Sequence, residues 1–267
     1  MTRTADFDLT ELEHQIYARQ IRLPGFGLEG QRKLKGASVL ISRAGGLGGT
    51  TAMMLARAGV GRITLAHDGV VEPENLNRMH LGFRKDLGRP KVDAFRETLG
   101  MINPDLEVVA VAENVSDANA AALFEGVDVV VDGAPVFEER QAMNREAVRR
   151  GTPLVMAAMF ALEGYLTVID PGQTPCLSCL YPETPPQWTI DIFPVIACSS
   201  AVVATLAAME AIKLLTGCGE VLRNRMLYYD LTDNTFRRLR VSRRPGCPVC
   251  GHLPWPEAAT PAEAGAG

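Results

Sequence analysis

The chain has 267 residues, of which 47% are hydrophobic and 22% charged. This usage excludes wholesale disorder, and the length suits one large or two small domains that can bury a core without stapling. Its 27 basic and 31 acidic residues give a net charge of −4, which argues against broad nucleic-acid or anionic-membrane binding and leaves room for a small anion site made by a few arginines.

Residues 1–20 are polar and lack the apolar core of a secretory signal, so the expected location is cytoplasmic. Residues 11–22, including Tyr17, Arg19 and Arg22, pattern as an amphipathic helix broken by Pro24 and Gly25. Gln31–Lys35 continues as a short helical stretch ended by Gly36. Ala37–Ser42 is a buried strand, Ala44–Gly49 a glycine-rich turn and Thr50–Ala58 a helix. Gly59–Gly61 then turns into the strand Arg62–Ala66, which completes a β-α-β unit. Pro90–Met101 is the next helix, with proline at its first turn. The strand Leu106–Val111, the helix Asp117–Phe124, the strand Val127–Val131 ending at Asp132, the helix Glu138–Arg149 and the strand Leu154–Ala157 follow. Such alternation predicts a doubly wound, mostly parallel sheet.

The pattern changes after residue 160. Gly164–Asp170 alternates as a strand, and residues 171–194 are Pro-rich and read as a long loop or flap. The apolar stretch Val195–Met209 is interrupted by Ser199, Ser200 and Thr205 and followed by Glu210 and Lys213. It is too short and polar for a ~20-residue membrane span, so Val195–Leu215 reads as a buried helix. Met226–Asp230 and Thr235–Val241 flank Thr232-Asp233-Asn234 as an antiparallel hairpin. Residues 254–267, mostly Pro, Ala, Glu and Gly, are an expected disordered tail.

Four of six cysteines form two C-x-x-C pairs, Cys176/Cys179 and Cys247/Cys250. A cytosolic chain should not hold structural disulfides, and four thiolates in two knuckles suit tetrahedral zinc. A redox pair is the alternative. A four-sulfur site has no open position, so such a metal would tie a loop to the C-terminal segment without doing chemistry. Cys198 and Cys218 read as small buried hydrophobes.

A glycine-rich turn between a strand and a helix lets backbone amides approach phosphates. The stretch Ser42-Arg43-Ala44-Gly45-Gly46-Leu47-Gly48-Gly49 has that setting but fails the dinucleotide fingerprint, because Arg43 holds its leading glycine position. Around it lie Tyr17-Ala-Arg19-Gln20-Ile21, Glu74-Asn75-Leu76-Asn77-Arg78, Gly88-Arg-Pro-Lys91, Ile102-Asn103-Pro104 and Ala208-Met-Glu-Ala-Ile-Lys213. With the two cysteine pairs, these segments resemble, in order from about residue 8 to 252, the MoeB/ThiF/HesA family, the bacterial relatives of ubiquitin-activating enzymes.

The resemblance implies a Rossmann-like α/β fold, its mostly parallel sheet continued by antiparallel strands, with a C-terminal four-cysteine zinc knuckle. It implies one adenylation domain over residues 1–253: a helical arm (1–35), a nucleotide-binding half (36–160) and a carrier-binding half with the zinc site (161–253). Family members use ATP and Mg2+ to adenylate the C-terminal Gly-Gly carboxylate of a small β-grasp carrier protein, and are usually homodimers. Carried onto this chain, Arg78 and Lys91 would hold phosphates, joined by Arg19 from the other subunit. Gly45, Gly46 and Gly48 would pass close to the nucleotide, and Asn75 and Asn77 would bond it or orient Arg78. Solvated surface charges (Arg78, Lys91) and a helix-bridging arginine (Arg19) are the plainer readings.

Three positions depart from the family pattern. Arg43 replaces a glycine. His67 stands where an acid should bind the ribose, with Asp68 one residue later, able to recover the contact only if the strand has ended. Pro135 stands where a second Asp, three residues past Asp132, should serve magnesium and the α-phosphate. Asp132 matches the first Asp and is either a working ligand or structural; Glu138 and Glu139 could substitute. The flap, with Tyr181, Trp188 and Asp191, lacks a cysteine for a thioester step. The leading expectation is a carrier-protein adenylyltransferase, in a molybdopterin-type or related sulfur-transfer pathway. The alternative is a catalytically impaired scaffold or partner subunit. A nicotinamide oxidoreductase is disfavoured by the missing leading glycine and ribose acid.

Overall fold

The computed structural model describes residues 7–184 and 193–255. The expected tail from residue 256 onward, and Trp188 and Asp191 of the flap, lie outside the described residues.

The N-terminal arm is two short helices, α1 (Glu11–Ile16) and α2 (Ala18–Ile21), rather than one. Thr10 and Glu13 form a capping box at the start of α1, and the chain breaks stride at the buried Tyr17. Helix α3 (Gly27–Gly36) starts four residues before the expected Gln31, and β1 (Ser38–Ser42) follows it. Helix α4 (Gly46–Ala58) begins inside the glycine-rich stretch, so Gly46, Gly48 and Gly49 are helical. Then come β2 (Arg62–Ala66), 3-10 turns at Pro73–Asn75 and Arg84–Asp86, α5 (Lys91–Ile102) and β3 (Glu107–Val111). Helix α6 is only Ala120–Leu123, shorter than its pattern. The strand β4 (Val129–Asp132), helix α7 (Phe137–Arg150), strands β5 (Leu154–Phe160) and β6 (Glu163–Ile169), short helix α8 (Leu177–Leu180), long helix α9 (Ala197–Thr216), and the hairpin β7 (Arg225–Asp230) and β8 (Thr235–Arg240) complete the order.

All eight strands form one sheet, in the order β3-β2-β1-β4-β5-β6-β7-β8. Pairing is parallel from β3 through β5 and antiparallel from β5 through β8. Strands β1 and β4 are buried along their length, which is why both read as continuous apolar runs rather than as alternations. One face packs Val39, Ile41, Ile63, Val131 and Val155 against residues of α4, α5 and α9. The other packs Leu40, Val130 and Met156 against Phe137 and Met143 of α7 and against the paired cysteines. Helix α9 has the length and apolar composition of a membrane span, yet Val203, Ala207 and Ala211 are fully buried in the core. It is the buried helix its serines and charges predicted.

Strand order reverses beside β1, because β1 lies between β2 and β4. The crevice at the carboxyl ends of β1 and β4 is therefore where a ligand is expected in this architecture.

Candidate functional site

The crevice is lined first by the turn from β1 into α4. Arg43 has φ 52°, in the left-handed region. A residue with a Cβ pays roughly 1–2 kcal/mol there, which explains a general preference for glycine at this place. The turn is held by the Gly45 N–H donating to the Arg43 carbonyl at 2.6 Å. Gly48 packs so closely on the strand end that a Cβ would lie 2.7 Å from the Arg43 carbonyl oxygen. Gly46 instead faces side chains, with Ser200 Oγ of α9 and Arg78 Cγ 3.1 and 3.2 Å from where its Cβ would be. Glycine at position 46 thus lets Arg78 lie against the turn.

Arg78 donates to the Glu74 carbonyl at 2.8 Å and to Asn77 Oδ1 at 2.9 Å, and its guanidinium carbon is 5.6 Å from the ring centroid of Phe193. Asn77 Nδ2 in turn donates to the Val195 carbonyl at 3.3 Å. The turn after β2 and the segment before α9 are thereby tied together around Arg78. Burial lowers the Arg78 pKa, with Glu74 opposing.

Lys91 opens α5 and is only 9% exposed. Its ammonium makes no hydrogen bond or ion pair among the described residues. Burial and the charges of Arg43 and Arg78 lower its pKa, against the pull of Glu72 and Glu74. His67, just past β2, is buried, and its Nδ1 has no hydrogen-bond partner among the described residues. Burial, Lys91 and Arg43 push it down to about 3, so it is neutral at physiological pH and adds no charge.

Among the described residues, Arg43 is the one of these cations in a carboxylate ion pair. Its Nε lies 3.2 and 2.9 Å from the two oxygens of Glu139 in the first turn of α7, and its Nη2 lies 2.5 Å from Oε1. Arg43, Arg78 and Lys91, with a neutral histidine, concentrate positive charge at the glycine turn, an arrangement that suits an anion. Arg78 lies against the glycine turn, and Lys91 is near enough to Arg43 and Arg78 for their charges to act on it. The Arg43–Glu139 pairing had no local signal, because its members lie 96 positions apart.

Other candidates are placed differently. Strand β2 ends at Ala66, so Asp68 has left the ladder and the alternation rule no longer turns it away. Asp68 is exposed, its Oδ1 accepting from the Gly69 N–H at 2.6 Å, and the Gly69 carbonyl accepts from the Lys91 N–H at 3.0 Å. Asn75 is buried and turned inward, where its Oδ1 accepts from the Glu72 N–H at 3.1 Å. Asn75 thus braces the turn carrying Arg78 rather than facing a ligand.

Asp132 lies on β4 beside Ser42, but its carboxylate is used internally. Oδ2 is 3.0 Å from Arg140 Nη1, and Oδ1 accepts from the Ala134 N–H at 2.8 Å. Burial pushes this carboxyl up to about 6, while Arg140 and the Ala134 N–H pull it down. Buried Arg140 also donates to the carbonyls of Ala134 and Ala157. Of the two readings weighed for Asp132, this geometry favours the structural one. Arg19 on α2 is exposed and has no hydrogen bond or ion pair among the described residues; the same arm carries exposed Leu12, Ile16 and Leu23. Cys198 corrects an expectation: it is exposed in the first turn of α9, and Cys218 is half-buried.

The two C-x-x-C pairs do come together. Cys176 Sγ is 3.9 Å from Cys179 Sγ and 3.6 Å from Cys247 Sγ, and Cys179 Sγ is 3.4 Å from Cys250 Sγ. All four sulfurs lie within 4.8 Å of one another. Zn–S bonds of about 2.3 Å in a tetrahedron put sulfurs about 3.8 Å apart, so the donor set and its spacing fit zinc. Arg243 braces the second knuckle through the carbonyls of Cys250 and Leu253.

This architecture recurs in known proteins. Residues 17–249 match the ThiF family. The chain belongs to the ThiF family. Among curated relatives, this ThiF-family chain is 44% identical over 249 residues to protein HesA of Leptolyngbya boryana, covering 93% of the chain and 90% of the relative. It is 38% identical to the sulfur carrier protein adenylyltransferase of Thermus thermophilus, covering 92% of the chain and 93% of the relative. The crystal structure of E. coli MccB with MccA-N7isoASN superposes with a TM-score of 0.79 at 23% identity, over 92% of this chain and 76% of that one. That last likeness speaks for the fold.

Proposed function

We propose that this ThiF-family protein is a nucleotidyltransferase that uses ATP to adenylate the C-terminal Gly-Gly carboxylate of a small β-grasp sulfur-carrier or ubiquitin-like protein. The observation that carries the reading is the nearly buried Lys91 ammonium near Arg78 and the glycine turn, with no hydrogen bond or ion pair among the described residues. A cation held there is stabilised when a polyanion enters. Attack of a carboxylate on the α-phosphate brings two anions together, so the protein's main tasks are charge neutralisation and positioning. Lys91 and Arg78 neutralise the phosphates, Gly45 and Gly46 keep the turn open to them, Asn77 orients Arg78, and Asp68 is free to reach a ribose hydroxyl.

Near the end of β4 Asp132 is held by Arg140, Glu139 by Arg43, and position 135 is proline, which leaves exposed Glu138 as the open carboxylate there among the described residues. Magnesium enters with the triphosphate, as Mg-ATP. The four cysteines hold a structural zinc that ties the α8 turn to the C-terminal knuckle. The active form is a cytoplasmic homodimer in which Arg19, exposed on the arm, reaches the partner's phosphates. One domain spans residues 1–253, with neither nucleic acid nor membrane as partner.

ATP–pyrophosphate exchange in the presence of a Gly-Gly carrier tests the reaction. Exchange that depends on the carrier supports it; a folded dimer without exchange under any divalent metal rejects it. A scaffold for a carrier protein is the second reading. It is favoured by Pro135 and by the locked state of Asp132 and Glu139, and tight binding of Mg-ATP in a calorimeter counts against it.

A further inference from the structure

Among the described residues, Arg43 is the cation of the crevice whose charge is matched by a carboxylate. Its backbone is fixed: the Arg43 carbonyl accepts from Gly45, and the Gly48 and Gly133 positions press against the same oxygen. Only the side chain is free to change, and it is 21% exposed, so it lies at the crevice wall rather than in the core. Glu139 is 11% exposed and sits in the first turn of the 14-residue α7, where helix N–H groups favour a negative charge even without an arginine. This pair can therefore open without stranding either member. The buried Asp132–Arg140 pair beside it cannot, since its side chains are 1% and 4% exposed.

We infer that the Arg43–Glu139 pair is a latch on the phosphate site: Arg43 is a further phosphate-contacting residue, held by Glu139 until a nucleotide's phosphates displace that carboxylate. The inference rests on the nucleotide reading above. A guanidinium fork recognises carboxylate and phosphate with the same bidentate geometry, so the exchange keeps the hydrogen bonds of Arg43. It replaces one negative charge by several, which also serve Lys91 and Arg78. The cost of the latch is a reduced apparent affinity, because only the open fraction binds. Its benefit is that the crevice does not hold three uncompensated cations when no nucleotide is present.

Calorimetric titration of the full chain with ATP in EDTA tests this, with thermal unfolding of each ligand-free variant alongside. Glu139→Gln removes the competing charge and should bind ATP about three- to tenfold more tightly than the parent. Arg43→Gly suits the left-handed backbone, so it should fold, and should bind ATP about tenfold more weakly. Arg43→Lys should fall between, and the double variant Arg43→Gly/Glu139→Gln should match Arg43→Gly alone. A purely structural ion pair would lower the melting temperature in both single variants and leave ATP affinity where it was. An affinity in Glu139→Gln equal to or weaker than that of the parent overturns the latch. A parent chain that binds no ATP, with or without magnesium, overturns the nucleotide reading itself and the latch with it.

Discussion

Replacing Gly48 by alanine separates the packing role of the glycine turn from its role toward a ligand. The added Cβ would lie 2.7 Å from the Arg43 carbonyl oxygen, 2.9 Å from Ile41 Cγ2 and 3.1 Å from the Ser42 carbonyl oxygen. Two of these three atoms belong to the backbone at the end of β1, which is held by the Arg43 N–H donating to the Ala66 carbonyl at 2.8 Å. Neither can swing aside, so α4 must back off the sheet by several tenths of an ångström. Overpacking of this kind costs about 1–3 kcal/mol, and alanine recovers roughly 0.5–1 kcal/mol of helix propensity. Mid-range values leave a net loss of about 1.3 kcal/mol, a fall in Tm of about 2.5–5 °C for a chain of this size, read by differential scanning calorimetry. Gly46→Ala is the matched control. Its nearest neighbours are the ends of Ser200 and Arg78, which can move, so Tm should change by less than about 2 °C while displaced Arg78 weakens ATP binding. Gly48→Ala with an unchanged Tm, or Gly46→Ala with a lowered Tm and full ATP affinity, would refute the assignment.

Four further outcomes are expected. The purified chain should carry one zinc per subunit by native mass spectrometry, and Cys250→Ser should lose the metal and melt earlier. His67 titrates at about 3 when folded and near 6.5 when unfolded, so the unfolded chain binds more protons between these values and stability falls as pH drops below about 6.5. Urea unfolding at pH 7.5 and 4.5 should show a loss of up to about 3 kcal/mol from this group, absent in His67→Gln. Asp132→Asn, compared on folded protein, should keep ATP affinity within about twofold; a hundredfold loss would return Asp132 to the phosphate site. Arg19→Ala and Lys91→Ala chains should each be inactive in pyrophosphate exchange and recover activity when mixed and reassembled, since one of the two sites in a mixed dimer is then complete; no recovery argues against an arginine acting across subunits.

The parallel half of the sheet was legible because its helices and strands differ in period and are separated by glycine. Val129–Asp132 and Ser38–Ser42 read as buried strands from their apolar runs alone. Boundaries were less legible where tertiary contacts set them. Helix α4 starts at Gly46 because the turn packs on β1, although three early glycines disfavour a helix there. Strand β5 runs to Phe160 because β6 returns beside it through the turn at Ala161 and Leu162, whereas the sequence reading stopped at Ala157. Lys91 and Arg78 stood out through their motifs, and the cluster of four cysteines through its spacing. What the sequence could not carry was the state of each charge. Arg140 looks like any helical arginine until β4 buries it against Asp132, and Arg43 gains its partner only once α7 lies across the end of β1.

The two arginine–carboxylate pairs explain how this chain tolerates proline at position 135. An acid there would have to share the strand end with Asp132, Glu138 and Glu139, four carboxylates within eight positions. Here Asp132 is neutralised from inside by Arg140 and Glu139 from the crevice by Arg43. Proline then suits the approach to α7, since it has no N–H to satisfy and disfavours helical geometry in the residue before it. Asp132 lies at the floor of the crevice, and Glu139, the carboxylate that pairs Arg43 at its wall, sits four residues further along the chain than the missing acid. An acid restored by Pro135→Asp would therefore compete with Glu139 for Arg43, so its effect on ATP affinity should depend on whether Glu139 is intact. Measured with Glu139 present and with Glu139→Gln, equal effects of Pro135→Asp would mean that position 135 and the Arg43 pair act independently.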